Sequence, residues 1–331
     1  MAYDSTPSNV HLDQVLTDLS VGFALKQADI ATRVFPVYNT DKLSNQYPIF
    51  SNAEQNRSGG VKEMAPRTTP NMFDVTHAFG SFQCRIYGLG FDIDRQTAAE
   101  EDNYLKVRQR KAEQLMYRLR LERDAQFKAK YLIGSTWGED VTGTTDFVKW
   151  SDAAAVPQED MDDWKKAFRL RNYNLEPNTL VLSRDISDTV RRNTEYKAFI
   201  KGITIEANAT VALPDVVTEA QLGAFFGIAN VIIADQIFNS AVEGATAVPT
   251  QLFGDDMLLA HVAANATTGI STAGLTFAYN ALEGASFGIS MEMFNDDSLK
   301  RVGIEEEVHG KMAYDMAIVS ADLGTFITDV L

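Results

Sequence analysis

The pattern of apolar and polar positions along these 331 residues changes several times, and each change marks a change in the predicted architecture. Over residues 1–35, short polar runs surround one stretch predicted as helix, around Leu12 to Leu25, and the segment closes on Arg33-Val34-Phe35-Pro36. The proline biases its predecessor toward extended backbone. This stretch therefore reads as an arm and not as a self-contained unit. Five of the nine prolines lie in residues 1–70, and the window from Ser51 to Pro70 offers only Ala53, Val61, Met64 and Ala65 as apolar side chains, too few to build a core. Extended signals flank that window: Val37-Tyr38 and Tyr47-Pro48-Ile49-Phe50 before it, Phe73-Asp74-Val75 and Phe79 to Ile86 after it. With Ser58-Gly59-Gly60 supplying turn chemistry at the tip, the pattern predicts a long hairpin projecting from the body.

Phe91 to Ile133 contains neither Gly nor Pro, and from Thr97 onward it is rich in strong helix formers. The spacing predicts a helix over residues 97–133, about 55 Å long at 1.5 Å per residue. Glu100, Glu101 and Asp102 near its start and Lys128 and Lys130 near its end suit the helix dipole, and Gly134 is placed to cap it. Leu105, Ala112, Leu115 and Leu119 form one apolar stripe, while Leu121, Ala125 and Leu132 lie displaced from it. A helix of this kind lies across a body and touches it on different faces along its length.

Beyond Trp150 helix and strand patterns alternate: helix Glu159 to Arg171, buried strand Thr179 to Leu182, helices Ile186 to Asn193 and Thr218 to Phe226, strand Asn230 to Ile233. Gly and Ala then crowd residues 240–288, as in short strands and loops of a smaller mixed sheet. Two late stretches, Phe287 to Met293 and Met312 to Ile318, alternate with period two and read as half-buried strands. No internal repeat is visible. The fold class expected is α+β.

Charge and chemistry narrow the function. Thirty Lys and Arg face forty-five Asp and Glu, a formal charge of −15 that repels a phosphate backbone unless cations are concentrated on one face. The place where that could happen is the long helix, with Lys106, Arg108, Arg110, Lys111, Arg118, Arg120 and Arg123, but Glu113, Glu122 and Asp124 interrupt it. A solvated or subunit-paired face is expected there. Cys84 is the only cysteine, so no disulfide can close within the chain, and a small buried hydrophobe is its expected role. No run of about 18 apolar residues and no basic-plus-apolar leader is present, which places the chain in the cytoplasm where it is made.

The search for catalysis returns one pattern. Gly284-Ala285-Ser286-Phe287-Gly288 fits G-x-S-x-G, with Asp296 and His309 following in an order that hydrolase triads use. A nucleophile elbow needs a helix after its serine, whereas the residues after Ser286 alternate as a strand, so a serine hydrolase is a reading held only for test. The four histidines are scattered, and no phosphate loop or dinucleotide fingerprint occurs. The acidic clusters lack the spacing of a calcium loop, so no cofactor or metal is expected.

Several strings are shared in order with one family. They are Val21-Gly22-Phe23-Ala24, Ile30 to Val37, Lys130-Tyr131-Leu132, Thr136 to Gly143, Trp150-Ser151-Asp152, Pro177 to Leu182, Met312 to Met316 and Ala321-Asp322-Leu323-Gly324. Together with the arm, hairpin, long helix and late strands, the sequence resembles the tailed-phage major capsid proteins, whose fold encapsulins share. The resemblance implies an N-terminal arm over 1–36, an extended loop with flanking strands over 37–90, and a peripheral domain over 91–176 built on the spine helix. An axial domain over 177–284 and late strands over 285–331, returning to the peripheral domain, complete it.

In that family the subunit assembles with itself as hexamers and pentamers into an icosahedral shell, the virion capsid, which encloses double-stranded DNA without reading its sequence. The partners implied are a separate scaffolding protein, a portal and a decoration protein, with no membrane. Some members form crosslinks from a loop lysine, and Lys42 and Lys62 are the only lysines between Val34 and Gly90. Intersubunit contacts are expected from Arg57, Gly59, Gly60, Lys62 and Arg67 on the loop and from Arg108, Arg118 and Arg123 on the helix. The alternative within the same fold is an encapsulin-like cargo compartment.

Overall fold

The computed structural model describes residues 29–50, 56, 60–61, 63–72, 77–96, 107–203, 217–265, 271–280, 290–294 and 304–331. The chain enters with a short helix, α1 (Ile30–Val34), then strand β1 (Val37–Thr40) and the hairpin strands β2 (Ser44–Phe50) and β3 (His77–Gln83). Strand β4 (Arg85–Asp94) leads to the long helix α2 (Val107–Tyr131) and to β5 (Glu139–Thr142). Next come α3 (Pro157–Arg171), β6 (Thr179–Ser183), α4 (Arg184–Arg192), α5 (Thr194–Ile203), α6 (Glu219–Phe226) and β7 (Asn230–Ala234). A small hairpin of β8 (Ile237–Asn239) and β9 (Pro249–Gln251) precedes β10 (Met257–Ala260), β11 (Gly274–Tyr279), β12 (Ser290–Phe294), β13 (Ile304–Ile318) and β14 (Gly324–Thr328). The helices predicted over 159–171, 186–193 and 218–226 and the strands over 179–182 and 230–233 stand within two residues of these bounds. Helix α5 was not legible in the pattern, and the helix predicted around Leu12 to Leu25 lies outside the described residues.

Two five-stranded sheets carry the body. The first is organised on the 15-residue strand β13, which is antiparallel to β4, β11 and β12. Tyr314 pairs with Arg85 on one edge and Ala278 on the other, and Lys311 likewise with Gly88 and Ser290, so β11 and β12 share the edge opposite β4. Strand β1 extends this sheet parallel to β11. The second sheet runs β5-β14-β10-β6-β7. Its strands come from three stretches of the chain, so residues 139–142 and 324–328 close a sheet whose centre is built by residues 179–260.

That second sheet is covered on both faces, which explains the unbroken apolar run of β6, buried at all five positions. Leu180, Leu182, Ile233, Met257 and Leu259 face Trp150, Trp164, Ile186 and Phe226, while Val181, Ile232 and Leu258 face the core shared with the first sheet. Helix α3 begins as its sequence suggests, with Pro157 in the first turn and Glu159 and Asp160 beside the dipole's positive end. Helix α6 starts on a capping box of Thr218 and Gln221 and stops at Gly227, whose φ of 65° lies in the left-handed region.

The buried stripe of α2 runs on from Leu115 and Leu119 through Phe127 and Tyr131, while Leu121 and Ala125 are partly buried beside it. The positions between, Arg123 and Asp124, are charged yet buried. Two expectations need correction here. The left-handed residue after α2 is Ser135 (φ 62°), not Gly134, and its N–H donates to the Asp140 carboxylate. Finally, β13 is not half-buried over Met312 to Ile318: Ala313 and Ala317 on its second face are as enclosed as Met312 and Tyr314 on its first. Ala317 sits beneath the foot of the hairpin with Phe82, Cys84 and Phe277.

Candidate assembly surfaces

The hairpin leaves the body as a two-stranded ribbon. Strands β2 and β3 pair only with each other among the described strands, in register from Ser44 opposite Gln83 to Phe50 opposite His77. Its foot is fixed. Phe82 stacks on Phe277 with ring centres 4.1 Å apart, Tyr47 lies 5.4 Å from the same ring, and the Gln83 N–H donates to Asp315 Oδ2 at 2.8 Å. The Cys84 thiol lies 3.6 Å from the Phe277 carbonyl, and burial, followed by the charge of Asp315, pushes its pKa up to about 11. That thiol is a packing group, as the sequence suggested.

Away from the foot, burial falls away. Residues 60, 61 and 63–72 are all exposed, with Val61 at 97% and Met72 at 82%. Local bonds shape this loop: Asn71 Nδ2 donates to the Gly60 carbonyl at 3.1 Å, and the Thr68 hydroxyl donates to Ala65 O at 2.7 Å beside Arg67, whose φ is 71°. Gly60 and Arg67, named above as contact candidates, are thus on the projecting loop, whereas Arg57, Gly59 and Lys62 lie outside the described residues.

On the long helix the candidates separate. Arg118 is exposed and Arg108 lies in the first described turn. Arg123 is turned into the subunit: its side chain is 3% exposed and its guanidinium meets Asp29 at 2.5 Å. It holds the start of α1 and is not a surface contact. Next to it, Asp124 accepts the Ala31 N–H at 2.9 Å, and its carboxyl is pushed up to about 6 by burial, against the pull of the Ala31 and Ile30 amides and the Arg123 charge. The far end of α1 is tied to the second sheet's side through Arg33 and Glu219 at 2.6 Å. Sequence reasoning missed this anchor because its two charged residues occupy helix positions that look solvated.

A groove of roughly 760 Å³ opens between the foot of the hairpin and the last turns of α2. Arg85 and Lys130 are exposed at its rim, and Tyr314 donates to Gln126 Oε1 at 2.9 Å in its floor. Neither Arg85 nor Lys130 is ion-paired among the described residues. Ser286 lies outside the described residues. His309 Nε2 sits 2.7 Å from Glu307 of its own strand. Among the described residues no group of three or more His, Cys, Asp or Glu side chains converges as a metal cage, and no helix is long and apolar enough to cross a membrane.

No protein-family model matches the sequence, and no curated protein matches it either. Solved structures do match over nearly the whole chain. A phage-related protein of Bordetella bronchiseptica RB50 superposes with a TM-score of 0.63 at 16% identity, covering 96% of this chain and 97% of that one. The capsid protein of cyanophage P-SCSP1u gives 0.59 at 14% identity over 95% and 94%. An encapsulin of Synechococcus elongatus PCC 7942 gives 0.51 at 12% identity over 96% and 95%. The chain therefore has the α+β fold of tailed-phage capsid proteins, which encapsulins share.

Proposed function

We propose that this chain is a major capsid protein: a structural subunit, not a catalyst, that assembles with itself as hexamers and pentamers into a closed icosahedral shell around double-stranded phage DNA. The observation that carries this reading is the β2–β3 hairpin. A two-stranded ribbon is marginal on its own in water, yet this one leaves exposed apolar side chains such as Phe79 and Met72 and, among the described residues, joins a core of its own subunit at its foot. Such a ribbon is completed by a neighbour. The capsid fold supports the same conclusion, since the matched proteins include a phage capsid that this chain covers over 94% of its length.

In this reading residues 1–36 are the arm and 37–90 the extended loop. Residues 91–176 with 285–331 form the peripheral domain, and 177–284 the axial domain, with β5 and β14 joining its sheet from the flanking segments. The shell is built in the host cytoplasm with a separate scaffolding protein and a portal, and a decoration protein is a further partner. The net charge of −15 suits a container for DNA, because walls without adhesive cations leave the packed duplex free. Electron microscopy and sedimentation of the purified protein test the proposal: closed shells, tubes or capsomers are expected, and a strict monomer at high concentration overturns it.

The encapsulin match supports a second reading, a shell around protein cargo. The contents of particles recovered from the native source separate the two. Double-stranded DNA supports the capsid, and a co-purifying enzyme supports the compartment.

A further inference from the structure

We propose that helix α1 is a latch that pivots at Phe35–Pro36 and is caught on the long helix by Asp124, which releases it when its carboxyl loses a proton. This device lies beyond the shell-forming reading and does not rest on it. The pivot is firmly held. Phe35 is buried with its ring 4.6 Å from that of Tyr131 and 5.9 Å from that of Phe127, and the Pro36 carbonyl accepts the Thr276 N–H at 3.1 Å. The lever is slight by comparison. Helix α1 has five residues, its N-cap Asp29 makes no side-chain capping bond, and its buried side chains are Ile30, Ala31 and Val34. A segment with so few contacts can open while the rest of the subunit stays folded.

The catch lies at the start of the lever. Asp124, enclosed by the subunit, accepts the Ala31 N–H, and Arg123 meets Asp29 beside it; at the far end the Arg33–Glu219 pair is partly exposed and adds little. The charged and titratable groups around the catch are Asp29 on α1, Arg123 and Glu122 on the long helix, and Tyr314 on β13 beside Tyr87 on β4. Arg33, Arg184, Glu219 and Asp235 line a cleft next to α1. Burial outweighs the pull of the Ala31 and Ile30 amides and of Arg123, and raises the carboxyl from 3.8 to about 6. Opening returns it to water and to its ordinary value. A closed latch therefore keeps a proton that an open one gives up, so closure is fully favoured below the ordinary value and weakens as pH rises through about 6.

Hydrogen exchange of the full chain, read by mass spectrometry on the peptide that carries α1, tests the latch. The parent and Asp124→Asn have the same sequence over residues 29–36, so the intrinsic pH dependence of exchange cancels in their ratio. Between pH 4 and pH 8 the protection of α1 in the parent should fall relative to the variant by up to about 100-fold, with its midpoint near 6. The peptide carrying β6, residues 179–183, should show no such change. A ratio that stays constant over this range would overturn the latch. An equal change in β6 would overturn it too, because the whole subunit would then be loosening and α1 would have no motion of its own. Should Asp124→Asn fail to fold, a synthetic peptide of residues 29–36 supplies the intrinsic rates, and the same two outcomes decide from the parent alone.

Discussion

The carboxylate of Asp124 in the long helix accepts the backbone N–H of Ala31 at 2.9 Å, across 93 positions of sequence, and neither group is reached by solvent. This bond, with the Arg123–Asp29 pair beside it, is where the entering chain is fastened to the spine of the subunit. Asp124→Ala leaves the buried Ala31 and Ile30 amides without their acceptor, so a loss of about 2–4 kcal/mol is expected. Asp124→Asn keeps an acceptor and should lose less. Urea unfolding of the two variants beside the parent measures both.

The same carboxyl fixes the sign of a pH effect. Burial raises it from the ordinary 3.8 to about 6, so between those values the folded chain holds a proton that the unfolded chain releases. Its contribution to stability is therefore fully present below the unfolded value and is lost as pH rises through about 6, by at most about 3 kcal/mol. The stability difference between the parent and Asp124→Asn, measured from pH 4 to pH 8, should shift against the parent as pH rises. A difference that stays flat across that range would mean the carboxyl is ionised throughout.

Gly310 lies in the middle of β13 where α2 crosses it, and a Cβ there would stand 2.6 Å from Leu119 Cδ1 and 3.1 Å from Leu115 Cδ2. Leucine side chains can yield somewhat, but both are already buried. Gly310→Ala should cost about 1–3 kcal/mol by overpacking. Gly88, one strand over on β4, meets nothing closer than 3.5 Å, so Gly88→Ala is the control and should leave the thermal midpoint nearly unchanged.

Arg171, at the end of α3, gathers the second sheet's edge. Its guanidinium donates to Glu139, to the carbonyls of Asp322 and Gly324 and to the Thr325 hydroxyl, at 2.6 to 3.0 Å. A lysine keeps the charge but cannot present a planar fork to four acceptors. Arg171→Lys should therefore destabilise nearly as much as Arg171→Ala, about 2–3 kcal/mol, and thermal unfolding of the two variants compares them.

What could be read in the sequence follows from how local each cause is. The run Thr179 to Leu182 and the acidic start at Glu159-Asp160 carry their structure in neighbouring residues, and the polar window around Gly60 announces that it builds no core. The anchor at Arg123 and Asp124 has no such signature, because its partners lie about 90 positions away and its charges resemble a solvated helix face. Arg85 and Lys130 likewise meet at one groove only because β4 and α2 pack on the same strand. Helix α5 failed for a third reason: Gly202 and the β-branched Ile200 and Ile203 at its end are weak helix formers, and its burial comes from Tyr196 and Phe199 meeting Phe225.

The hairpin separates folding from assembly in a single variant. The described residues among 51–70 are exposed and supply no side chain to any of the three cores. Deleting them and closing the chain on Asn71 leaves the β2–β3 ladder and its foot on Phe277 in place, so the subunit should unfold within a few degrees of the parent. Assembly should respond differently. Each copy loses a contact that recurs throughout a shell, and even about 1 kcal/mol at each changes a local equilibrium about fivefold. Shells are expected to fail or to break on mild heating, and Arg67→Ala should show a weaker form of the same defect that fades at high salt, where rim charges are screened. Calorimetry on the subunit and sedimentation of the particles read the two effects apart. Normal, heat-resistant shells from the deleted chain would remove the loop from assembly, and a chain that no longer folds would place it in the core.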